Sequence, residues 1–441
     1  MNLEAVRARL RPGGLGRETV WALAVEMLGL LTSVLAFGII AKGIGPVAYG
    51  GYVAVFGVIA VLGPPIAGGL ALSVLHHGVR EQEDKTVMVR SVLTLALGLG
   101  VVLATICFVV ATRLVPKGLS KPTILAIVIG EMVLVPLMLV ISALVQAYGP
   151  FASAMQMRMA PNMMRFVGLL ALVAFRGVTI TNVGIVLVYS YIAAAVPMLI
   201  HGSRLLGVPL RPGRPHLRHA RSGMNYGVGM SALGLQNDGD KIALSRYGWL
   251  TQGGQYGAAY KIVQIGFAPV NGLLAASHNR FLAHDPGARD QHLRRSIRFA
   301  AYAFGYGAVV SALVFVFAPI VPWIVGEKYR PSVTMMRYLS PVVLFRSLGM
   351  FPLNGLLGLG RTAVRTGLLI FGAVVSVASY VLLVPRHSWR GAVAGTLISE
   401  SLLAASAWAA LVILQARHNA AVDAVDPIVA SERTLLDAGL G

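Results

Sequence analysis

The feature that most constrains this chain is the recurrence of apolar runs of about 20 residues from near Thr19 almost to Gln415, each long enough as an α-helix to cross ~30 Å of hydrocarbon. Lipid offers no partner to a free backbone N–H or C=O, so such runs must fold as helices that satisfy their own backbone. The expected spans are 19–41, 48–75, 88–111, 122–147, 152–175, 178–201, 223–245, 255–278, 299–325, 333–358, 366–385 and 391–415. No interval between them is long enough for a separate soluble domain. Composition agrees: 56% of the residues are hydrophobic and 12% charged, whereas soluble domains carry about 45–50% and about 25%. A water-soluble enzyme is excluded, and the predicted class is an all-α polytopic membrane protein of about twelve transmembrane helices.

The first run follows Arg7, Arg9, Arg11 and Arg17, which imitates the basic flank of a signal peptide. From Thr19 to Ala41 it is too long for a signal core and ends at Lys42-Gly43, so it is expected to be retained as the first membrane helix. The single cysteine, Cys107, lies inside an apolar run and cannot support an intramolecular disulfide framework. A formal charge of +20 would point to nucleic acid in a soluble protein. Here the placement of the cations accounts for it. Twenty-two Lys and Arg residues fall on the amino-terminal side of the spans and eleven on the other. That bias predicts two cytoplasmic termini and no nucleic-acid partner. Arg165, Lys241, Lys261 and Arg346 fall inside spans.

The stretch GVPLRPGRPHLRHARSG, Gly207 to Gly223, is rich in Pro, Gly and Arg and cannot continue a membrane helix. It divides the chain into an amino-terminal lobe (1–206), a cytoplasmic linker (207–222), a carboxyl-terminal lobe (223–415) and a polar cytoplasmic tail (416–441). A shift of 204 residues aligns Lys42 with Arg246, Gly50 with Gly254, Tyr52 with Tyr256, Ala54 with Ala258, Pro65 with Pro269, Gly68 with Gly272, Leu70 with Leu274 and Arg90 with Arg294. Each half has six helices, so the repeats are parallel and related by an axis along the membrane normal. Two such lobes facing each other enclose a central cavity suited to alternating access. Gly63-Pro64-Pro65 and Pro269 predict breaks in the second and eighth helices, tolerated where freed backbone groups face protein or water.

Three segments carry a resemblance to a known family. IIAKGIGPVAYGGYVAVFGVIAVLGPPIAGGL (Ile39 to Leu70) and NDGDKIALSRYG (Asn237 to Gly248) resemble motifs of the bacterial polysaccharide and oligosaccharide flippases, which share a superfamily with the multidrug and toxin extrusion antiporters. In the second segment Asp240-Lys241 stands where the family commonly shows an Asp-Arg-like pair. The third segment runs VGEKYRPSVTMMRYLSPVVLFRSLGMFPLNGLLGLGRTAVRTG (Val325 to Gly367) and continues at LLVPRHSWRGAVAGTLISE (Leu382 to Glu400). The resemblance implies a protein of the bacterial inner membrane that moves a polyprenyl-diphosphate-linked oligosaccharide from the cytoplasmic to the outer leaflet for surface polysaccharide biosynthesis. It implies membrane lipids as partners, H⁺ or Na⁺ as coupling ions, and association with polysaccharide polymerase machinery. The related lipid II flippases usually carry two further helices, where this chain has a polar tail.

The transport task selects candidate residues on physical grounds. An anionic headgroup crossing hydrocarbon needs a wet, electropositive cleft, and an ionisable side chain at mid-membrane costs about 2.5–3.5 kcal/mol on insertion scales unless it faces a cavity or a partner. Arg346, Lys261 and Arg165 are the candidate substrate-binding cations, the guanidinium groups being suited to bidentate phosphate contact. The competing role for these cations is neutralisation by Glu131, Glu400 or Glu26. Glu26, Glu400 and Glu131 are in turn the ion-coupling candidates, because low dielectric favours protonation of a carboxylate. Asp240 and Lys241 are expected to form a structural ion pair. No catalytic residue, cofactor or metal site is expected: His76-His77 lacks Cys or carboxylate partners at zinc spacing in the sequence, and the Gly-x-Gly pairs lack the context of a nucleotide site. Other readings stay open: an ion-coupled multidrug antiporter, a lipid II flippase, a membrane-embedded glycan polymerase or ligase, and a transport-inactive scaffold. The enzyme reading requires a sizeable outer loop bearing catalytic groups, and no outer loop exceeds roughly a dozen residues.

Overall fold

The backbone is helical almost from end to end, and its interruptions fall where glycine and proline chemistry requires them. The computed structural model describes residues 12–115, 119–175, 177–282 and 290–438, with side chains described from 27 to 420 except at 275, 276, 278–280 and 282. The helix Pro12–Leu62 contains one non-helical residue, Gly45 (φ 75°, ψ 170°), directly before Pro46. Positive φ suits glycine, and a residue preceding proline is driven from the helical region. The break separates α1 (12–44) from α2 (46–80). Gly63 and Pro64 then interrupt α2, which resumes through a π-helical turn, Pro65–Gly69.

Helix α3 (Lys85–Leu114) begins at Asp84, whose carboxylate accepts from the amides of Thr86 and Val87 at 2.9 and 3.0 Å, an N-cap that satisfies two otherwise orphaned donors. Helices α4 (Lys121–Tyr148), α5 (Phe151–Phe175) and α6 (Ile180–Leu206) follow, α6 stopping at the left-handed Gly207. After a non-helical stretch over 208–216 come α7 (Leu217–Arg246) and α8, which runs Leu250–Gly266 and, after Phe267, Ala268–Leu282. The last four are α9 (Gln291–Val325), α10 (Ser332–Gly358), α11 (Thr362–His387) and α12 (Trp389–Ala438). No strand occurs among the described residues. The fold is an all-α polytopic membrane protein with two six-helix lobes around a central cavity.

Nine segments among the described residues are, taken singly, long and apolar enough to cross a membrane. The difference from the twelve expected spans has a physical origin. Helices α1 and α2 run together across Gly45, α8 is broken at Phe267, and α7 carries Asn237, Asp238, Asp240 and Lys241. Both α7 and α8 are central helices, where protein and cavity rather than lipid surround polar groups.

Loops 81–84 and 208–216 lie together at one face, here called proximal: Lys85 Nζ donates to the Leu206 carbonyl and Arg218 to Glu83. The distal face holds 45–46, 247–249 and 326–331, joined by hydrogen bonds from Tyr329 to the Ala41 carbonyl and from Gln255 to the Lys328 carbonyl. Between these faces α2 and α7 touch backbone to backbone. A Cβ at Gly69 would stand 2.2 Å from the Gly223 carbonyl oxygen, one at Gly227 2.4 Å from Pro65 Cα, and one at Gly234 2.1 Å from the Ala60 carbonyl oxygen. Small residues permit this approach, and in lipid such close packing is what associates helices.

At the distal end the contact passes to α8. A Cβ at Gly50 would lie 2.0 Å from the Leu250 carbonyl oxygen, and one at Gly254 1.9 Å from that of Pro46. The 204-residue shift carries Pro46 onto Leu250 and Gly50 onto Gly254, so each repeat offers the other the same pair. That reciprocity is what a two-fold axis between the lobes produces. The symmetry does not extend to the middle of the molecule. Gly68 packs on Met230, its Cβ position 2.6 Å from Cε, whereas its repeat mate Gly272 in α8, like Gly29 in α1, has nothing within 4 Å. The α2–α7 side is closed along its length, and the α1 and α8 positions look into open space.

Candidate functional site

Between the lobes lies a cavity of about 240 Å³ walled by α1, α2, α5, α7 and α8. Phe37, Tyr49, Tyr52 and Phe56 from the first lobe give it an apolar, aromatic side; Arg165, Asp238, Lys241, Lys261 and Gln264 give it a charged one. Its distal end is shut by the Gly50 and Gly254 contacts and by Val53 against Gly257, a repeat position meeting its own mate. Three of the four cations expected inside spans therefore line one hollow, against one carboxylate.

Their partners differ. Lys241 is fully engaged: its Nζ donates to the Asn237 carbonyl and Asp238 Oδ1 at 2.8 Å, reaches Asp240 Oδ1 at 3.2 Å, and sits 3.8 Å from the centroid of the Tyr260 ring. The expected Asp240–Lys241 pair is present, but the shorter contact is with Asp238, one helical turn away. Asp240 is fully buried and its second oxygen accepts from Tyr256 at 2.7 Å. Arg165 has a buried Nε with no hydrogen-bond partner, but its guanidinium is hydrogen-bonded to Tyr191 and interacts electrostatically with Tyr52 and Glu131. Lys261 forms no ion pair or hydrogen bond among the described residues. Both cations line the cavity, and of the two Lys261 is the one without a hydrogen-bond or ion-pair partner among the described residues.

Arg346 corrects the sequence expectation. It does not line the cavity: it is buried within the second lobe, where Nε donates to Glu400 Oε1 at 2.8 Å and Nη2 to the Tyr260 hydroxyl at 2.7 Å. The reason is local and electrostatic, since a guanidinium in a dry bundle retains its charge only beside a carboxylate. Glu400 is that carboxylate, 2% exposed and also absent from the cavity wall. Arg346 and Glu400, singled out for different tasks, are one ion pair. Glu131 sits in a π-helical turn, Gly130–Leu134, and accepts from the Tyr191 hydroxyl at 2.5 Å, behind the wall near Arg165. The Glu26 side chain lies outside the described residues.

Sequence reasoning missed the tyrosines that join these groups. Tyr260 presents its face to Lys241 and its hydroxyl to Arg346, so a continuous polar path runs from Asp238 at the cavity through Lys241, Tyr260 and Arg346 to Glu400. Tyr256 and Tyr380 both reach the Thr396 hydroxyl, at 3.4 and 3.1 Å, and tie Asp240 to α11 and α12. The available signal was spacing: Tyr256 and Tyr260 stand four apart on α8, hence on one face.

No protein-family model matches the chain, and no curated protein matches its sequence. Solved structures do. An inward-facing conformation of a multidrug resistance MATE family transporter of the MOP superfamily is 16% identical, with TM-score 0.72 over 90% of this chain and 98% of that one. An outward-facing conformation of such a transporter is 17% identical, with TM-score 0.60 over 90% and 94%. A MOP superfamily transporter from Pyrococcus furiosus, described as having a binding pocket of reverse polarity that suggests a different function, is 17% identical, with TM-score 0.64 over 90% and 94%. With two lobes, paired central helices and an interlobe hollow, the chain has the fold of the MATE transporters of the MOP superfamily.

Proposed function

We propose that this protein is a flippase that carries a polyprenyl-diphosphate-linked oligosaccharide from the cytoplasmic to the outer leaflet of a bacterial inner membrane by alternating access. The observation that carries this reading is the excess of cations on the cavity wall, Arg165, Lys241 and Lys261 against Asp238, with Lys261 forming no ion pair or hydrogen bond among the described residues. A site walled by more cations than carboxylates in a low-dielectric setting suits an anion, and a diphosphate offers several acceptor oxygens to guanidinium and ammonium donors. Asp238 is engaged by Lys241 and Glu131 lies behind the wall near Arg165, so Lys261 sets the sign of the field at the cavity.

In this reading the proximal face is cytoplasmic, as the Lys and Arg bias predicts. The headgroup enters from that face while its lipid anchor stays in the bilayer, passing on the α1 and α8 side, where Gly29 and Gly272 border open space. The distal glycine contacts hold the outer exit shut, and the closer overlay on an inward-facing conformation supports the same assignment. Separation of the distal contacts and closure of the proximal side then exposes the headgroup to the other leaflet. Glu131, behind the cavity wall, and Asp238, on it, are the described carboxylates that this reading assigns to coupling with H⁺ or Na⁺.

The multidrug antiporter reading draws on what the structural neighbours are called. A cavity with three cations and one carboxylate opposes an organic cation, and this separates the two readings. The test is binding by purified protein in lipid nanodiscs. Polyprenyl diphosphate should bind and compete with its glycan-bearing form, and a lipophilic organic cation should not. Saturable binding of the organic cation with none of the diphosphate would refute the proposal. In cells, deletion of the gene should leave lipid-linked oligosaccharide on the inner leaflet.

A further inference from the structure

A cluster of histidines and carboxylates that the cavity does not use meets at the proximal end of the α2–α7 contact. His76 and His77 are adjacent, and on a regular α-helix adjacent side chains diverge by about 100°. Here the last turn of α2, His76–Arg80, is π-helical, a departure often found at functional positions. It brings Glu81 against both rings: Oε1 is 3.3 Å from His76 Nε2 and Oε2 is 2.9 Å from His77 Nδ1. One donor atom from each of the three residues lies within 4.8 Å of the others. The expectation that no carboxylate partners His76-His77 is therefore corrected; linear spacing does not reveal a ligand set assembled by a π-turn.

We propose that His76, His77 and Glu81 bind a divalent first-row transition-metal cation, with zinc the ion that two imidazoles and a carboxylate suit best. Zinc lies about 2.0–2.2 Å from such donors, which places neighbouring donors on a tetrahedron about 3.3 Å apart. The His76–Glu81 spacing is already 3.3 Å. Closing the remaining separation needs a side-chain adjustment, available to His76 and Glu81, whose side chains are 32% and 38% exposed.

The neighbours define what the metal would do. Glu83 is drawn toward α7: one of its oxygens accepts from Arg218 Nη2 at 2.6 Å and meets His219 Nε2 at 2.9 Å. Arg218 also reaches Glu81 Oε2 at 3.4 Å from the start of α7. Metal and guanidinium therefore compete for Glu81, and occupancy of the site releases one tie between α2 and α7 at the proximal face.

The test uses tag-free, full-length protein in detergent, titrated with zinc chloride by calorimetry and, separately, with cobalt(II) followed by its visible absorption. One equivalent should bind. Glu81→Gln and His76→Ala, both at partly exposed positions, should each weaken binding by at least about tenfold. Arg218→Ala should tighten it, because the competing cation is gone. The site is refuted by an absence of saturable binding to the parent protein, or by isotherms that Glu81→Gln and His76→Ala leave unchanged. An Arg218→Ala isotherm matching the parent overturns the competition. A purely structural Glu81–Arg218 pair predicts no tightening.

Discussion

Gly254→Ala tests the alternating-access reading at one atom. The added Cβ would lie 1.9 Å from the Pro46 carbonyl oxygen, whereas real Cβ contacts essentially never fall below 3.0 Å, so the α2 and α8 backbones must part by at least about 1.1 Å. Both partners are backbone, and no side chain can swing aside. Overpacking of this kind costs about 1–3 kcal/mol, charged only to the distally closed state, since alanine is acceptable in a helix that has moved away. The ratio of distally open to distally closed molecules should therefore rise about 5–150-fold. Spin labels at the exposed distal positions Lys121 and Arg386, in a Cys107→Ser background, report this by pulsed dipolar spectroscopy. A longer-distance population should grow in Gly254→Ala and not in Gly229→Ala, where the new Cβ makes only an ordinary 3.6 Å contact with Leu369. A Gly254→Ala distance distribution superimposable on the parent, in protein with an unchanged melting profile, would refute the claim that this contact is the outer gate.

Other consequences can be checked directly. Lys261→Gln should weaken polyprenyl diphosphate binding by about 10- to 150-fold, the equivalent of one charge-assisted hydrogen bond of about 1.5–3 kcal/mol, while Lys261→Arg retains most of it; equilibrium binding in nanodiscs decides. Arg346→Met should destabilise the protein by about 3–5 kcal/mol by leaving Glu400 buried and uncompensated, and Arg346→Met with Glu400→Leu should recover much of that loss in thermal unfolding. Tyr256→Phe removes the donor to Asp240 Oδ2 and should cost about 1–3 kcal/mol, measured the same way, with little change in diphosphate affinity. Simultaneous Arg165→Gln and Lys261→Gln should abolish export in cells; wild-type export by that variant would leave the cavity without its assigned role.

Much of this protein was legible in one dimension, because lipid enforces helices and a parallel repeat copies its contacts. The run lengths predicted the helices, Gly63-Pro64-Pro65 marked a real interruption of α2, and the 204-residue shift pairs positions that meet across the lobe interface. The same sequence singled out four intramembrane cations. It could not sort them, because a charge in a span reads identically whether a carboxylate 54 residues away neutralises it, as Glu400 does Arg346, or whether it lines a cavity, as Lys261 does. Pairing of that kind depends on which helix faces are brought together, and only packing decides it. The departure from symmetry is likewise tertiary: Gly68 and Gly272 are equivalent in sequence, yet one is pressed against Met230 and the other borders open space. The meeting of His76, His77 and Glu81 turns on a single π-helical turn. Periodicity and charge are properties of the chain, while partnership and vacancy are properties of surfaces, and these exist only once the two lobes have closed on each other.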